Sequence, residues 1–193
     1  MTRLLLLRHG QSTWNAEGRW QGRADPPLSD EGRAQALAAS DSLDHMAAIY
    51  SSDQARAWET ADIIARERGW ALPTRFIGLR ERDVGEFTGL TRAEIEQRWP
   101  GLLARVPLEP PGAEPRSSLL SRAVATLHRI AQAWPEQRVL VVTHGALIRA
   151  VEAHLGVAQP GPPRNLTGRW LSAAAGQLSP GPTVSLLVAT AQH

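Results

Sequence analysis

The 193-residue chain has no cysteine and no lysine, two phenylalanines, one tyrosine, and no apolar run approaching a membrane span. Without cysteine there is no disulfide, no thiolate nucleophile and no thiolate metal ligand. The compartment stays open on that ground, because a cysteine-free chain tolerates either redox state. A bilayer helix needs about 20 apolar residues. The opening Leu4-Leu5-Leu6-Leu7 stops at Arg8 and His9, too soon for the roughly 7–15-residue core of a secretory leader. It is expected to be the first strand of a cytoplasmic protein. Because lysine is absent, all 21 basic residues are arginine, against 19 acidic ones, for a net charge of +2. Guanidinium holds its charge to high pH and grips phosphate in a planar fork, but a GC-rich coding sequence favours arginine whatever the function. Arginine alternates with Asp and Glu and forms no long run, so the clustering a nucleic-acid footprint needs is missing. Neither a nucleic acid nor a membrane is expected as a partner.

What is present is a 42% apolar composition, at a length suited to one domain over 1–193 with a sizeable core. Two stretches are built alike: Leu4-Leu5-Leu6-Leu7-Arg8-His9-Gly10 and Val139-Leu140-Val141-Val142-Thr143-His144-Gly145. A short continuous apolar run reads as a strand buried on both faces. Helices on both faces and a mostly parallel central sheet follow, giving an α/β three-layer sandwich. Ligands of such sheets bind at the carboxyl ends of the strands, where each run delivers an imidazole. One histidine after a strand is ordinarily a surface or helix-capping residue. Two of them, each followed by a glycine expected to allow a tight turn and one preceded by Arg8, can meet over one ligand.

Strand and helix alternate along the chain. Strands are expected near 3–8, 47–51, 74–77, 139–143, 169–174 and 183–189. Helices are expected from a Ser29 cap to about Asp44, from Ser52 or Asp53 to about Arg68, from a Thr91 cap to before Pro100, over about 117–134, and after His144 to about Leu155. The proline-rich stretch 107–115 reads as a loop, since the pieces on either side are too small to fold separately. Pro160–Pro163 reads as a turn, and a Gly/Ser/Pro turn is expected between the last two strands.

The segment Arg8-His9-Gly10-Gln11-Ser12-Thr13-Trp14-Asn15 puts a guanidinium, an imidazole and an amide around one turn. Neutral imidazole is a nucleophile near pH 7, and Arg8 can hold phosphoryl oxygens bidentately. Arg56 falls in the first turn of a helix, whose N–H groups favour anions; alone it would be an ordinary surface charge. Together with Gln21-Gly22, Leu28-Ser29-Asp30-Glu31-Gly32, Ser51-Ser52-Asp53, Arg56-Ala57, Thr60-Ala61, Leu79-Arg80-Glu81, Gly85, Gly89-Leu90-Thr91, Pro111-Gly112-Ala113-Glu114, Arg122 and Val142-Thr143-His144-Gly145, this opening resembles the histidine phosphatase family. That family comprises the cofactor-dependent phosphoglycerate mutases and their phosphatase relatives. The ordered set covers nearly the whole chain. The resemblance implies that His9 is transiently phosphorylated and that Arg8, Arg56 and His144 surround the phosphoryl oxygens. It further implies that Asn15, Gln21, Gly22 and Gly145 line the substrate pocket, and that Glu81 protonates the leaving oxygen and then deprotonates water. It implies no metal and no cofactor.

Departures bear on the activity. Ala113-Glu114-Pro115 stands where the family usually has Gly-Glu-Ser, Asp83 stands where mutases tend to have His, and Pro111 follows Glu81 by only 30 positions. A mutase must hold a second anionic group and keep water from the phosphohistidine. The short segment and the missing lysine therefore favour hydrolysis of a small phosphorylated metabolite, a phosphosugar or phosphoglycerate type. A phosphoglycerate mutase is the alternative, and a non-catalytic phospho-ligand binder a more distant one. Trp14 and Trp20 are expected to pack the loop after His9, with a pocket-lining role as the other reading. Substrate choice is expected in about 88–116 and 160–169. The resemblance allows a homodimer, for which no stripe of sequence marks an interface.

Overall fold

The computed structural model describes residues 1–158 and 161–187. Strands β1 (Thr2–Arg8), β2 (Ala48–Ser51), β3 (Thr74–Arg75), β4 (Arg138–Thr143), β5 (Thr167–Ala174) and β6 (Gln177–Ser185) form one sheet in the order β3-β2-β4-β1-β5-β6. β1, β4, β2 and β3 run parallel; β5 pairs antiparallel with β1, and β6 antiparallel with β5.

The four leucines of β1 divide by the period of two that a strand imposes. Leu4 and Leu6 pack against α5 (Arg116–Ala133) and α6 (Gly145–His154) through Leu119, Leu127, Ile130, Leu147 and Val151. Leu5 and Leu7 face α2 (Asp30–Asp41) and α3 (Ala55–Glu67) through Ala39, Ala57, Ala61 and Ile64. The expected three layers are therefore those observed. α1 (Thr13–Ala16) is one turn capped by Ser12, and α4 (Arg92–Arg98) starts at the Thr91 cap. A third, smaller core of Val84, Phe87 and Ile95, with Trp20, Leu90 and Trp99 packed on it, builds a separate cluster from residues 84–108 and the loop after β1.

Several expected boundaries shift. The 74–77 strand is two residues long, because residues 77–79 tighten into a 3₁₀ turn. α2 ends at Asp41, three residues short of expectation. α3 is flanked by Gln54 rather than Ser52 or Asp53; Asp25, from a remote loop, accepts the Ala55 N–H at 2.6 Å. That borrowed carboxylate does the work of a local cap. The last two strands form a hairpin whose turn is Ala175-Gly176, both at positive φ (48° and 74°), as a two-residue primed turn requires. The turn thus falls in the expected interval between the strands but is confined to two residues, and Ser179-Pro180-Gly181-Pro182 from the same interval lies within β6. β6 is an edge strand, where a missing N–H can face away from the ladder. Pro160 of the expected turn, and residues 188–189 of the expected last strand, lie outside the described residues.

The glycine after each histidine was expected to serve a tight turn. Neither Gly10 nor Gly145 has a positive φ. Gly10 serves close approach instead: a Cβ there would lie 2.6 Å from the Gly32 carbonyl oxygen of α2.

Candidate active site

β1 and β4 lie side by side with Arg8 opposite Thr143, so the next residue of each is a histidine. The two rings stand edge to face with centroids 5.1 Å apart. Both are buried. The backbone around His9 is pinned on every side. Its N–H donates to Thr143 O at 3.0 Å, its carbonyl accepts from Asn165 Nδ2 at 2.8 Å, and the Gly10 N–H donates to Thr60 Oγ1 at 3.0 Å.

The ring is equally constrained. His9 Nδ1 lies 2.6 Å from the carbonyl oxygen of Gly10, and Arg56 Nε donates to His9 Nε2 at 3.2 Å. A carbonyl accepts only, so Nδ1 carries the proton; a guanidinium donates only, so Nε2 carries the lone pair. Burial, then the charges of Arg56 and Arg8, push the His9 pKa well below 6.5, against the Gly10 hydrogen bond. His9 is thus a neutral imidazole whose Nε2 faces cationic groups. His144 is lowered in the same way by burial and then by Arg56, His9, Arg8 and Arg122.

Arg56 is fully buried on α3. Its Nη1 donates to Ala24 O at 2.9 Å and its Nη2 to Gly22 O at 3.0 Å. With Nε on His9, three of its five N–H groups are used and two remain. Burial lowers its pKa to about 10, against the attraction of Glu81 and Asp25, so it remains a cation at neutral pH. Arg8 donates from Nη1 to the Pro163 carbonyl. Burial lowers its pKa, with Glu81 opposing. Arg8 Nε and both ring nitrogens of His144 are buried without a hydrogen-bond partner among the described residues. Unpaired buried polar atoms are costly. Here they belong to the residue before His9 and to the ring 5.1 Å from it, an arrangement suited to an anion with several oxygens.

Glu81 stands across from them. Its Oε1 accepts the Arg82 N–H at 2.8 Å, and its Oε2 accepts the Ala146 N–H at 3.2 Å, in the first turn of α6, two residues after His144. The structure thus brings together His9, His144, Arg8, Arg56 and Glu81. Gly145 opens α6 against Arg8, whose Nε would lie 3.7 Å from a Cβ there. Asn15 and Gln21 are turned inward: Asn15 Oδ1 accepts from the Ser12 N–H at 3.2 Å and Gln21 Oε1 from Ser12 Oγ at 2.8 Å. Gly22 offers its carbonyl to Arg56 and Gln54; its φ is +50°, and a Cβ would meet Val84 Cγ2 at 2.7 Å. Trp20 packs edge to face on Phe87 at 5.4 Å, and Trp14 lies against Gly89, so both tie the loop to residues 84–108.

Thr60, Asn165, Gln54 and Arg122 support the site without having been assigned roles from sequence. Thr60 and Arg122 belong to the ordered motif set. Asn165 falls in the 160–169 loop. Gln54 carries one signal of its own: it sits where a helix prefers Ser, Thr, Asp or Asn.

Comparison with known proteins agrees with this geometry. The profile of the histidine phosphatase superfamily (branch 1) matches residues 4–173. A metal-independent phosphoserine phosphatase of Arabidopsis thaliana is 36% identical over 160 residues, 78% of this chain and 67% of that protein. A glucosyl-3-phosphoglycerate phosphatase of Mycobacterium tuberculosis is 37% identical over 171 residues, 79% of this chain and 74% of that protein. A 2,3-bisphosphoglycerate-dependent phosphoglycerate mutase of Bradyrhizobium diazoefficiens is 34% identical over 163 residues, 77% of this chain and 78% of that protein. The solved structure of a mycobacterial glucosyl-3-phosphoglycerate phosphatase with VO3 superposes with a TM-score of 0.83 at 32% identity, over 93% of this chain and 96% of that one. The chain belongs to the histidine phosphatase superfamily.

Proposed function

We propose that the protein is a phosphomonoesterase that hydrolyses a small phosphorylated metabolite through a phosphohistidine on His9 Nε2, without a metal. The observation that carries this reading is the neutral, buried His9, its tautomer set by Gly10 O and its Nε2 lone pair held against the Arg56 guanidinium. Nε2 attacks phosphorus as the ester P–O bond breaks, and Glu81 gives its proton to the leaving oxygen. Water then yields a proton to Glu81 and attacks phosphorus. The P–N bond breaks, releasing inorganic phosphate and restoring His9. Arg8, the two remaining N–H groups of Arg56 and the imidazole of His144 meet the charge that grows on the phosphoryl oxygens. His9→Ala should abolish hydrolysis of alkyl and aryl phosphates alike, and EDTA should leave the wild-type rate unchanged. Wild-type rates in His9→Ala, or loss with EDTA that Mg²⁺ or Zn²⁺ restores, would refute the reading.

Similarity to a mutase keeps phosphoglycerate mutation as a second reading. Incubation with 3-phosphoglycerate and a bisphosphoglycerate separates the two, by release of inorganic phosphate or by appearance of 2-phosphoglycerate. The cytoplasm is the proposed compartment. No helix among the described residues is long and apolar enough to cross a membrane. Fractionation of cells should recover the protein with cytoplasmic markers.

A further inference from the structure

The peptide of Glu81 is gripped on both sides by buried or half-buried side chains from two different helices. On one side, Gln54 Oε1 accepts the Glu81 N–H at 2.8 Å. The same amide donates from Nε2 to Gly22 O at 3.1 Å and to Ala24 O at 3.2 Å. These are the two carbonyls that also hold the Arg56 guanidinium. Gln54 is therefore a strut between the carboxylate loop and the loop that aims Arg56. It occupies the cap position of α3 yet makes no side-chain cap bond. A residue poorly suited to its local place, with its side chain committed elsewhere, signals a demand from outside the helix.

On the other side stands Arg122, on α5. Its Nη1 donates to Gly78 O at 3.0 Å and Arg80 O at 2.6 Å, and its Nη2 to Glu81 O at 3.0 Å. Nε and Nη2 complete a fork onto Glu114, each at 2.8 Å. All five N–H groups of the guanidinium are used. A lysine has no such fork. Glu114 is itself fixed, its N–H donating to Asp83 O at 3.0 Å and its carbonyl accepting from Arg82 Nε at 2.8 Å.

We infer that Gln54 and Arg122 are positioning residues for proton transfer by Glu81, and that Gln54 couples the carboxylate to the guanidinium that holds the phosphoryl group. The inference rests on the reading of Glu81 as the acid. A carboxyl group must sit within hydrogen-bond reach of the leaving oxygen while the phosphoryl group is held elsewhere. The two clamps fix that relative placement through the backbone of Glu81.

The test compares kcat/KM for an alkyl phosphate, glycerol phosphate, with that for 2,4-dinitrophenyl phosphate. An alkoxide needs a proton to leave; dinitrophenolate does not. kcat/KM reports formation of the phosphoenzyme, so the second half-reaction does not obscure it. Gln54→Met and Arg122→Lys should each lower the alkyl value about ten- to a hundredfold and the aryl value less than about threefold, as misplacement of an acid predicts. Added to Glu81→Gln, neither should cost the alkyl substrate anything further. Should Arg122→Lys fail to fold, Glu114→Gln, which loosens the same guanidinium, carries the same expectation. Equal losses on both substrates, additive losses in the Glu81→Gln background, or an undiminished alkyl rate would overturn the inference. If Glu81→Gln itself leaves the alkyl-to-aryl ratio unchanged, the acid assignment beneath it falls instead.

Discussion

His9 and His144 are buried bases that stay neutral, and that has a cost that depends on pH. In the folded protein both pKa values lie well below 6.5; in the unfolded chain they return to about 6.5. Between those limits the unfolded state binds more protons than the folded one, so stability rises with pH there. The contribution is complete above pH 6.5 and drains away as the pH falls below it. The slope reaches up to about 1.4 kcal/mol per pH unit for each histidine. Urea midpoints measured from pH 7.5 to pH 5 should therefore fall, and His144→Gln should fall less steeply than the wild type. A midpoint that does not move over that range would contradict the neutral, buried state. At this scale the residues that the structure brings together could be read from sequence. Arg8, His9, Arg56, Glu81 and His144 each sit in a motif whose order is specific. The roles of Gln54 and Arg122 could not be read, although Arg122 falls in that motif set, because what a glutamine or arginine side chain holds is hidden until the loops it bonds are in place.

Elements are joined at the site by backbone contacts that leave no space for side chains. Gly32 on α2 is one of these: a Cβ there would lie 1.9 Å from the carbonyl oxygen of Gln11. Gly32→Ala should push α2 away from the loop that carries His9. It should cost about 1–3 kcal/mol in stability, the usual range for overpacking, and lower kcat as the nucleophile shifts. Thermal denaturation and steady-state kinetics on one sample check both. Unchanged values would mean the loop has room the geometry denies it. In sequence Gly32 was visible as part of the Leu28–Gly32 motif but its reason was not, since the contact that demands it spans two elements. The same limit applies to α3, whose cap is lent by Asp25. It applies again to the β5–β6 hairpin, whose Ala175-Gly176 turn lacks the asparagine or aspartate that usually marks one. Ser29 and Thr91 were legible as caps because both cap their helices locally.

The molecule as a whole converts two similar runs into one site. The parallel register of β1 and β4 carries His9 and His144 to the same edge. α3 brings Arg56 to that edge, and the segment that follows the 77–79 turn brings Glu81. The three-layer α/β plan was legible because continuous apolar runs alternate with helical segments. The 84–108 cluster was not, because its core of Val84, Phe87 and Ile95 has no run or period long enough to stand out. The central claim is that His9 Nε2 forms a covalent bond to phosphorus. Rapid acid-free quenching of Glu81→Gln with an aryl phosphate, followed by mass spectrometry under alkaline conditions, tests it most directly. The account predicts one added phosphoryl group on the peptide containing His9, accumulating because the base for the second step is gone. Turnover with no phosphorylated enzyme, or a phosphoryl group on any other residue, would contradict it.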